Sequence, residues 1–233
     1  MSNIIDADHN NFVEWDTVNW SKLIDVIESS GIDLQGKKVL ELGARNGGLS
    51  LYYALNGAEV LCSDVTEGFP SQRAIDLHEK YHLQDRITYA QIDALNIPEK
   101  YHGKFDVVTF KSILGGIGSH DTELESIAVR NIAQCLKPGG YAIFAENMKS
   151  SSLHQFFRRT RKYSWHYQTE ENILSLFGEK FSLVKKCYCG SLGCFGVTEG
   201  MREVLGYLDR YIFDRVVPER WKYVGIFIFK LRE

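Results

Sequence analysis

Val39-Leu40-Glu41-Leu42-Gly43-Ala44-Arg45-Asn46-Gly47-Gly48-Leu49-Ser50 runs from an apolar, strand-like segment through a glycine-rich turn into a segment with helical spacing. Open α/β sheets bind ligands at such turns, beyond the carboxyl ends of their strands. Spacing separates the ligand classes that use them. A dinucleotide turn counted from Gly43 needs glycine at positions 45 and 48, but Arg45 places a side chain where backbone must approach a pyrophosphate. A phosphate-cradling P-loop needs a lysine after Gly48; Leu49 stands there and leaves phosphate charge uncompensated. What remains is Glu41-x-Gly43-x-x-x-Gly47, a turn for a ligand without a phosphate chain, or simply a tight strand-to-helix turn.

Outward from this turn, apolar β-branched runs predict strands at 38–42, 59–63, 86–91, 105–110, 141–145, 181–188 and 223–230. Helical spacing lies between the first five, as in Leu49, Tyr52, Tyr53 and again in Ile127, Val129, Ile132, Ala133. Strand–helix alternation predicts an α/β domain with a mainly parallel sheet. Two additions flank it. Trp20, Leu23, Ile24 and Ile27 fall at i, i+3, i+4, i+7, a helix opened by Asn19 or Ser21. Met201, Val204, Leu205, Leu208, Tyr211 and Ile212 mark another, closed by Pro218. That second helix, over 199–216, either caps the pocket or forms the face of a homodimer. No repeat or low-complexity tract interrupts the chain.

Further motifs follow in order. Strand two ends in Cys62-Ser63-Asp64-Val65, strand three in Gln91-Ile92-Asp93-Ala94, and strand four in Phe105-Asp106-Val107-Val108-Thr109-Phe110-Lys111; Leu136-Lys137-Pro138-Gly139-Gly140 turns into strand five. Taken singly, Asp64 or Asp93 also reads as a helix cap or a solvated loop acid. In this order and spacing, over residues of about 35 to 147, the chain resembles the class I S-adenosylmethionine-dependent methyltransferases. The resemblance implies a Rossmann-like, seven-stranded, mainly parallel sheet of order 3-2-1-4-5-7-6, its last strand antiparallel and helices on both faces. It implies S-adenosylmethionine as cofactor, with S-adenosylhomocysteine as product, held by Glu41, Gly43, Ala44, Gly47, Asp64, Val65, Asp93, Ala94 and Lys111. Asp64 would take the ribose hydroxyls, Asp93 the adenine amino group, and the end of strand four would lie beside the sulfonium. One methyltransferase domain then spans 1–233: an N-terminal helical cap over 1–35, the cofactor core over 36–147, and acceptor-site and closing strands over 148–233.

Methyl transfer asks the protein to align nucleophile, carbon and sulfur and to exclude water. A hydroxyl acceptor must also lose a proton, which a neutral amine need not. After strand five stand Glu146 and Asn147. Metal-dependent family members hold magnesium with such a pair plus an acid at the end of strand four, but here Lys111 would repel a cation, so no metal is expected. Glu146 is expected to pair with Lys111 or to touch the acceptor. The stretch 150–167 mixes cations, aromatics and two histidines. It reads as an acceptor site or as a solvated basic helix with one aromatic stripe. In the first reading His154 is the proton acceptor and His120 the next candidate. Arg158 and Arg159 clamp an anionic group, and Trp165 and Tyr167 stack on a ring. Trp15, Asn19 and Trp20 fold over the site as a lid, or the tryptophans merely anchor the first helix. Cys187, Cys189 and Cys194 read as core thiols, since zinc would need a fourth ligand.

With 27 Lys+Arg against 30 Asp+Glu, a net charge of −3 gives no pull toward nucleic acid or an anionic membrane. No basic, apolar leader opens the sequence and no run approaches a membrane span, and five cysteines fit a reducing compartment, so a cytoplasmic protein is expected. The segment 147–167, with 110–116, resembles a bacterial branch associated with sugar and small-metabolite modification. That implies O-methylation of a small polar or anionic acceptor such as a nucleotide-linked sugar. N-methylation of a small metabolite and a non-catalytic, donor-binding scaffold remain as alternatives.

Overall fold

The computed structural model describes residues 9–152, 154–156 and 165–233. Strands β1 (Lys38–Leu42), β2 (Glu59–Asp64), β3 (Ile87–Gln91), β4 (Phe105–Lys111), β5 (Leu136–Asn147), β6 (Phe181–Cys189) and β7 (Val224–Leu231) form one sheet of order β3-β2-β1-β4-β5-β7-β6. The first five pair in parallel and β7 runs antiparallel to both its neighbours. The expected order and the antiparallel last strand are those observed. Val39 to Leu42 are buried on both faces, as a central parallel strand requires.

Ahead of β1 stand short helices α1 (His9–Val13), α2 (Thr17–Trp20) and α3 (Lys22–Glu28). The core adds α4 (Gly48–Leu55), α5 (Gln72–Lys80), α6 (Leu114–Gly118), α7 (Glu123–Cys135) and α8 (Glu170–Gly178), and α9 (Glu199–Leu208) follows β6. A π-helical turn, Asp209–Phe213, and a final helical turn, Asp214–Val216, continue α9. Among the described residues no helix is long and apolar enough to cross a membrane.

Hydrophobic burial on each side of the sheet holds the layers together. On one side Trp20, Leu23 and Ile24 meet Tyr52, Tyr53 and Ile143. On the other, Phe110 stacks on Phe144 at 4.5 Å, Phe144 on Phe177 at 4.8 Å and Phe177 on Phe229 at 4.7 Å. Each such pair contributes about 0.5–1.5 kcal/mol beyond its buried area.

Three local expectations shift. The expected cap helix divides in two: α3 starts at Lys22 with Ser21 in the capping position, as expected, while a separate turn, α2, starts at Thr17, where Asp16 turns the chain and accepts Asn19 N–H (3.1 Å) and Trp20 N–H (3.0 Å) at its carbonyl. The Ser21 hydroxyl bonds back to the Val18 carbonyl, and its own carbonyl accepts Ile24 N–H (2.9 Å) in the first turn of α3. Strand five starts at Leu136: Phe105 pairs with Leu136 and Val107 with Tyr141, so the Lys137-Pro138-Gly139-Gly140 turn is absorbed as a bulge. The apolar series on α9 faces outward, with Met201, Val204, Tyr211 and Ile212 exposed. Burial falls on Gly206 and Asp209 instead.

Candidate functional site

Parallel register brings the ends of β1, β2, β4 and β5 to one edge: Glu41 lies beside Cys62, Leu42 beside Phe110, and Lys111 beside Ala145. Above that edge lies a cavity of about 560 Å³, within the range of small-molecule sites. Gly43, Arg45, Asp64, Val65, Lys111, Ser112 and Ile113 form one side of it, and Trp15, Asp16, Trp20, Asn147, Trp165, Tyr167 and Tyr223 line the rest with Gly193, Cys194 and Arg202.

The glycine turn is built for close approach. Gly43 has φ +66°, and a Cβ there would come within 2.5 Å of the Ile113 methyl. Gly47 caps α4 in the left-handed region and gives its carbonyl to the His78 ring at 2.9 Å. Asp64 orders the rim: one carboxylate oxygen accepts Arg45 N–H at 2.9 Å, the other Thr66 N–H and Oγ1–H at 2.9 and 2.6 Å. A carboxylate has about four lone-pair sites, so acceptor capacity remains on the cavity side. Asp93, at the end of β3, is exposed and accepts Leu95 N–H, with Ala94 half-buried beside it.

Several expected residues stand elsewhere. Glu41 turns away from the cavity and accepts Ser50 N–H (2.7 Å) and Ser50 Oγ–H, holding the first turn of α4. Ala44 is buried, donating to the Ser63 carbonyl. Glu146 does not pair with Lys111. Its Oε1 accepts Ile113 N–H (2.8 Å) and Leu114 N–H (2.7 Å), the free donors at the start of α6. Burial, partly opposed by those N–H groups, pushes its carboxyl up to about 7. His120 is exposed and off the cavity wall. His154 is 2% exposed and sits behind the wall, its ring 5.8 Å from Tyr223 and 6.0 Å from Tyr167. Arg158 and Arg159 lie outside the described residues.

Others line the cavity. Lys111 reaches the cavity, its ammonium 3.5 Å from the Trp15 ring and bonded to the Val13 carbonyl. Burial brings it down to about 7 against the attraction of Glu14 and Glu41. Trp165 fits because Gly115 has no Cβ to meet its indole. Trp165 Nε1 is buried without a hydrogen-bond partner among the described residues. Asn147 donates to Ser112 Oγ.

The sequence pattern missed a polar cluster at the far side. Asp16 Oδ1 accepts Asn19 Nδ2–H at 3.1 Å and Oδ2 accepts Tyr223 O–H; Asn19 Nδ2 also reaches Tyr223 Oη (2.8 Å) and Asp209 Oδ2 (3.3 Å). Burial, only partly offset by the Tyr223 and Asn19 hydrogen bonds, raises the Asp16 carboxyl to about 7. Its one sequence signal was a polar Asp-x-x-Asn pair inside an apolar segment. The partners, Asp209 and Tyr223, are some two hundred residues away and carry no local signal. Of the thiols, Cys189 is buried against the Asn19 carbonyl (3.3 Å), while Cys194 reaches the cavity wall. Among the described residues no cluster of three or more His, Cys, Asp or Glu could hold a metal.

The profile of a methyltransferase domain matches residues 13–183. A ubiquinone biosynthesis O-methyltransferase of Acinetobacter baumannii (strain ACICU) is 32% identical over 149 residues, 64% of this chain and 59% of that protein. The chain spans about half to three-fifths of the length of the curated relatives it matches. Two solved structures share the fold at 18% identity. One is magnesium protoporphyrin IX methyltransferase from Synechocystis PCC 6803 with bound S-adenosylhomocysteine (TM-score 0.62, 91% of this chain, 81% of that one). The other is the N-methyltransferase NodS from Bradyrhizobium japonicum WM9 with S-adenosylhomocysteine (TM-score 0.59, 91% and 85%).

Proposed function

This chain belongs to the class I S-adenosylmethionine-dependent methyltransferase family, and we propose that it methylates an oxygen of a small polar acceptor. The observation that carries this is one cavity joining the glycine turn and Asp64 to the Asp16–Tyr223 pair. The residues fit the donor. Gly43 lets the turn pack against Ile113, where a Cβ would clash, and Asp64, on the same cavity wall, keeps acceptor capacity toward the cavity. Asp64 would hold the ribose, Val65 and the Asp93 end of β3 the base, and Lys111, drawn toward neutrality, adds little repulsion beside a sulfonium.

When bound, the donor supplies an electrophilic methyl carbon on sulfur and leaves as a neutral thioether. The protein does the rest. Trp15, Trp20, Trp165 and Tyr167 exclude water and hold the acceptor, and the partnerless Trp165 N–H orients it. Asp16 takes the acceptor hydroxyl proton as the oxygen lone pair forms the new C–O bond and the C–S electron pair returns to sulfur. A carboxylate near 7 is poised for this, and such positioned bases are worth about 10²–10⁴ in rate. His154, behind Tyr223, supports that ring. Phenols and nucleotide-linked sugars are the acceptor classes that suit an aromatic wall with a buried acid. N-methylation is the second reading, because Asp16 among tryptophan faces would also hold an ammonium.

Calorimetry tests the donor half. S-adenosylhomocysteine should bind and NAD should not. Asp64→Ala should weaken S-adenosylhomocysteine about 10- to 150-fold, the worth of one hydrogen bond to a charged group. Unchanged affinity would sink the assignment. Release of labelled methyl onto a panel of phenols, nucleotide sugars and amines tests the acceptor half.

A further inference from the structure

Glu125, in the first turn of α7, is 1% exposed and stands off the cavity wall. Burying a carboxylate is costly unless hydrogen bonds replace its water. The partners that replace it come from one short segment, 166–172. Glu125 Oε1 accepts from His166 Nδ1 and from Gln168 Nε2, both at 2.6 Å, and Oε2 accepts from Asn172 Nδ2 at 3.3 Å. A carboxylate oxygen accepts, so His166 carries its proton on Nδ1.

The two residues held by one oxygen are alternate residues of the chain. Those between and before them, Tyr167 and Trp165, line the cavity. The backbone is tied at the same alternate positions: His166 N–H donates to the Gly115 carbonyl at 3.0 Å and Gln168 N–H to the Asn147 carbonyl at 3.0 Å, while the Gln168 carbonyl accepts Lys149 N–H at 2.7 Å. Where side chains alternate in this way, a slip of one residue exchanges the two faces. Such a slip here would send His166 and Gln168 into the cavity and turn both aromatic rings toward a buried acid. The glycine run of α6 is shaped for the observed register. Gly115 and Gly116 face the Trp165 indole, and a Cβ on Gly118 would run into Glu125 Oε1 and the His166 ring.

We infer that Glu125 is a positioning residue for the acceptor: by gripping His166 and Gln168 from behind, it fixes the register that turns Trp165 and Tyr167 into the cavity. The inference rests on the reading of that wall as the acceptor's. Glu125 acts only through the segment it holds. Its loss is therefore felt in acceptor binding and not in donor binding, because Gly43 and Asp64 form a different side of the cavity.

Fluorine resonance of the full chain labelled with 5-fluorotryptophan reports on the wall without turnover. The sequence has four tryptophans, and a Trp165→Phe variant assigns the Trp165 signal. Glu125→Ala should shift that signal, lower kcat/KM for the acceptor about 10- to 100-fold, mostly through KM, and leave S-adenosylhomocysteine affinity unchanged. Glu125→Gln keeps an oxygen that can accept both N–H groups, and should restore the signal and most of kcat/KM. Should Glu125→Ala not fold, His166→Ala removes one of the two holds at a half-buried position and should move the signal in the same direction by less. A Trp165 signal unmoved in the alanine variants, or one that moves while acceptor KM stays constant, would overturn the inference. So would a lowered melting temperature with no other change, which is all that an ordinary core contact would give. If the signal moves with Glu125 but the wild-type chain methylates nothing on the acceptor panel, the register pin stands and the acceptor reading fails.

Discussion

Asp16 concentrates several unusual features in one residue. It adopts φ +45°, a left-handed conformation that costs a non-glycine residue roughly 1–2 kcal/mol, and it keeps a carboxylate at 5% exposure. Hydrogen bonds from Asn19 and Tyr223 hold it there, and its place on the cavity wall makes it the proton acceptor of the proposed reaction. Only the ionised form can accept. Since burial raises the carboxyl to about 7, kcat/KM should climb with pH up to about 7 and level off above it. Asp16→Asn keeps the shape, accepts hydrogen bonds at one atom and cannot take a proton. It should lower kcat about 10²–10⁴-fold, flatten the acid limb and leave S-adenosylhomocysteine affinity within a few-fold of wild type. A retained acid limb would move the base elsewhere, to Lys111 in the first instance.

At the scale of elements, two buried glutamates serve as helix starters. Glu41, on β1, holds the first turn of α4 through Ser50, and Glu146, on β5, takes the free N–H groups of α6. Both lie at strand ends beside the cavity, so they set where the glycine turn and the Ser112–Leu114 corner sit. Glu146→Ala leaves two buried donors unsatisfied and should cost about 1–3 kcal/mol in urea unfolding. Glu146→Gln, whose amide oxygen can accept both N–H groups, should recover most of that loss. Equal destabilisation by the two variants would mean the carboxylate charge, not its acceptor geometry, holds the corner.

For the whole molecule, buried charge links stability to pH. Asp16, Glu41 and Glu146 are each raised to about 7, and Asp214 is raised as well. Between about 4 and 7 the folded chain therefore holds protons that the unfolded chain has released, and stability falls as pH rises. His78, lowered by burial, opposes this with one group against four, and Asp106 and Glu170, held low, act only below that window. Lys111, brought down to about 7, acts in the other sense above it: the unfolded chain binds the extra proton, so stability rises with pH. Above about 9 the buried thiols of Cys62 and Cys189, pushed up, reverse the trend. Calorimetric melting of the ligand-free chain should pass through a minimum near pH 7. Lys111→Met should remove the rise between about 7 and 9; a rise that survives would place its cause in another group.

What the sequence determined by itself was local and periodic. Alternation of strands and helices dictated the parallel core, and the order of the Gly43–Gly47 turn and Asp64, read through a family resemblance, pointed to the sheet edge where the cavity opens, because each lies at the end of a strand that local pattern already defines. The acceptor end was decided only in three dimensions. Asp16, Tyr223 and Arg202 come from three separate segments, and each looks like an ordinary core or surface residue until the sheet brings them to one cavity. The same reason misdirected the reading of His154 and Glu146. Their residue types suit proton transfer, but folding turned one behind an aromatic wall and spent the other on two backbone N–H groups.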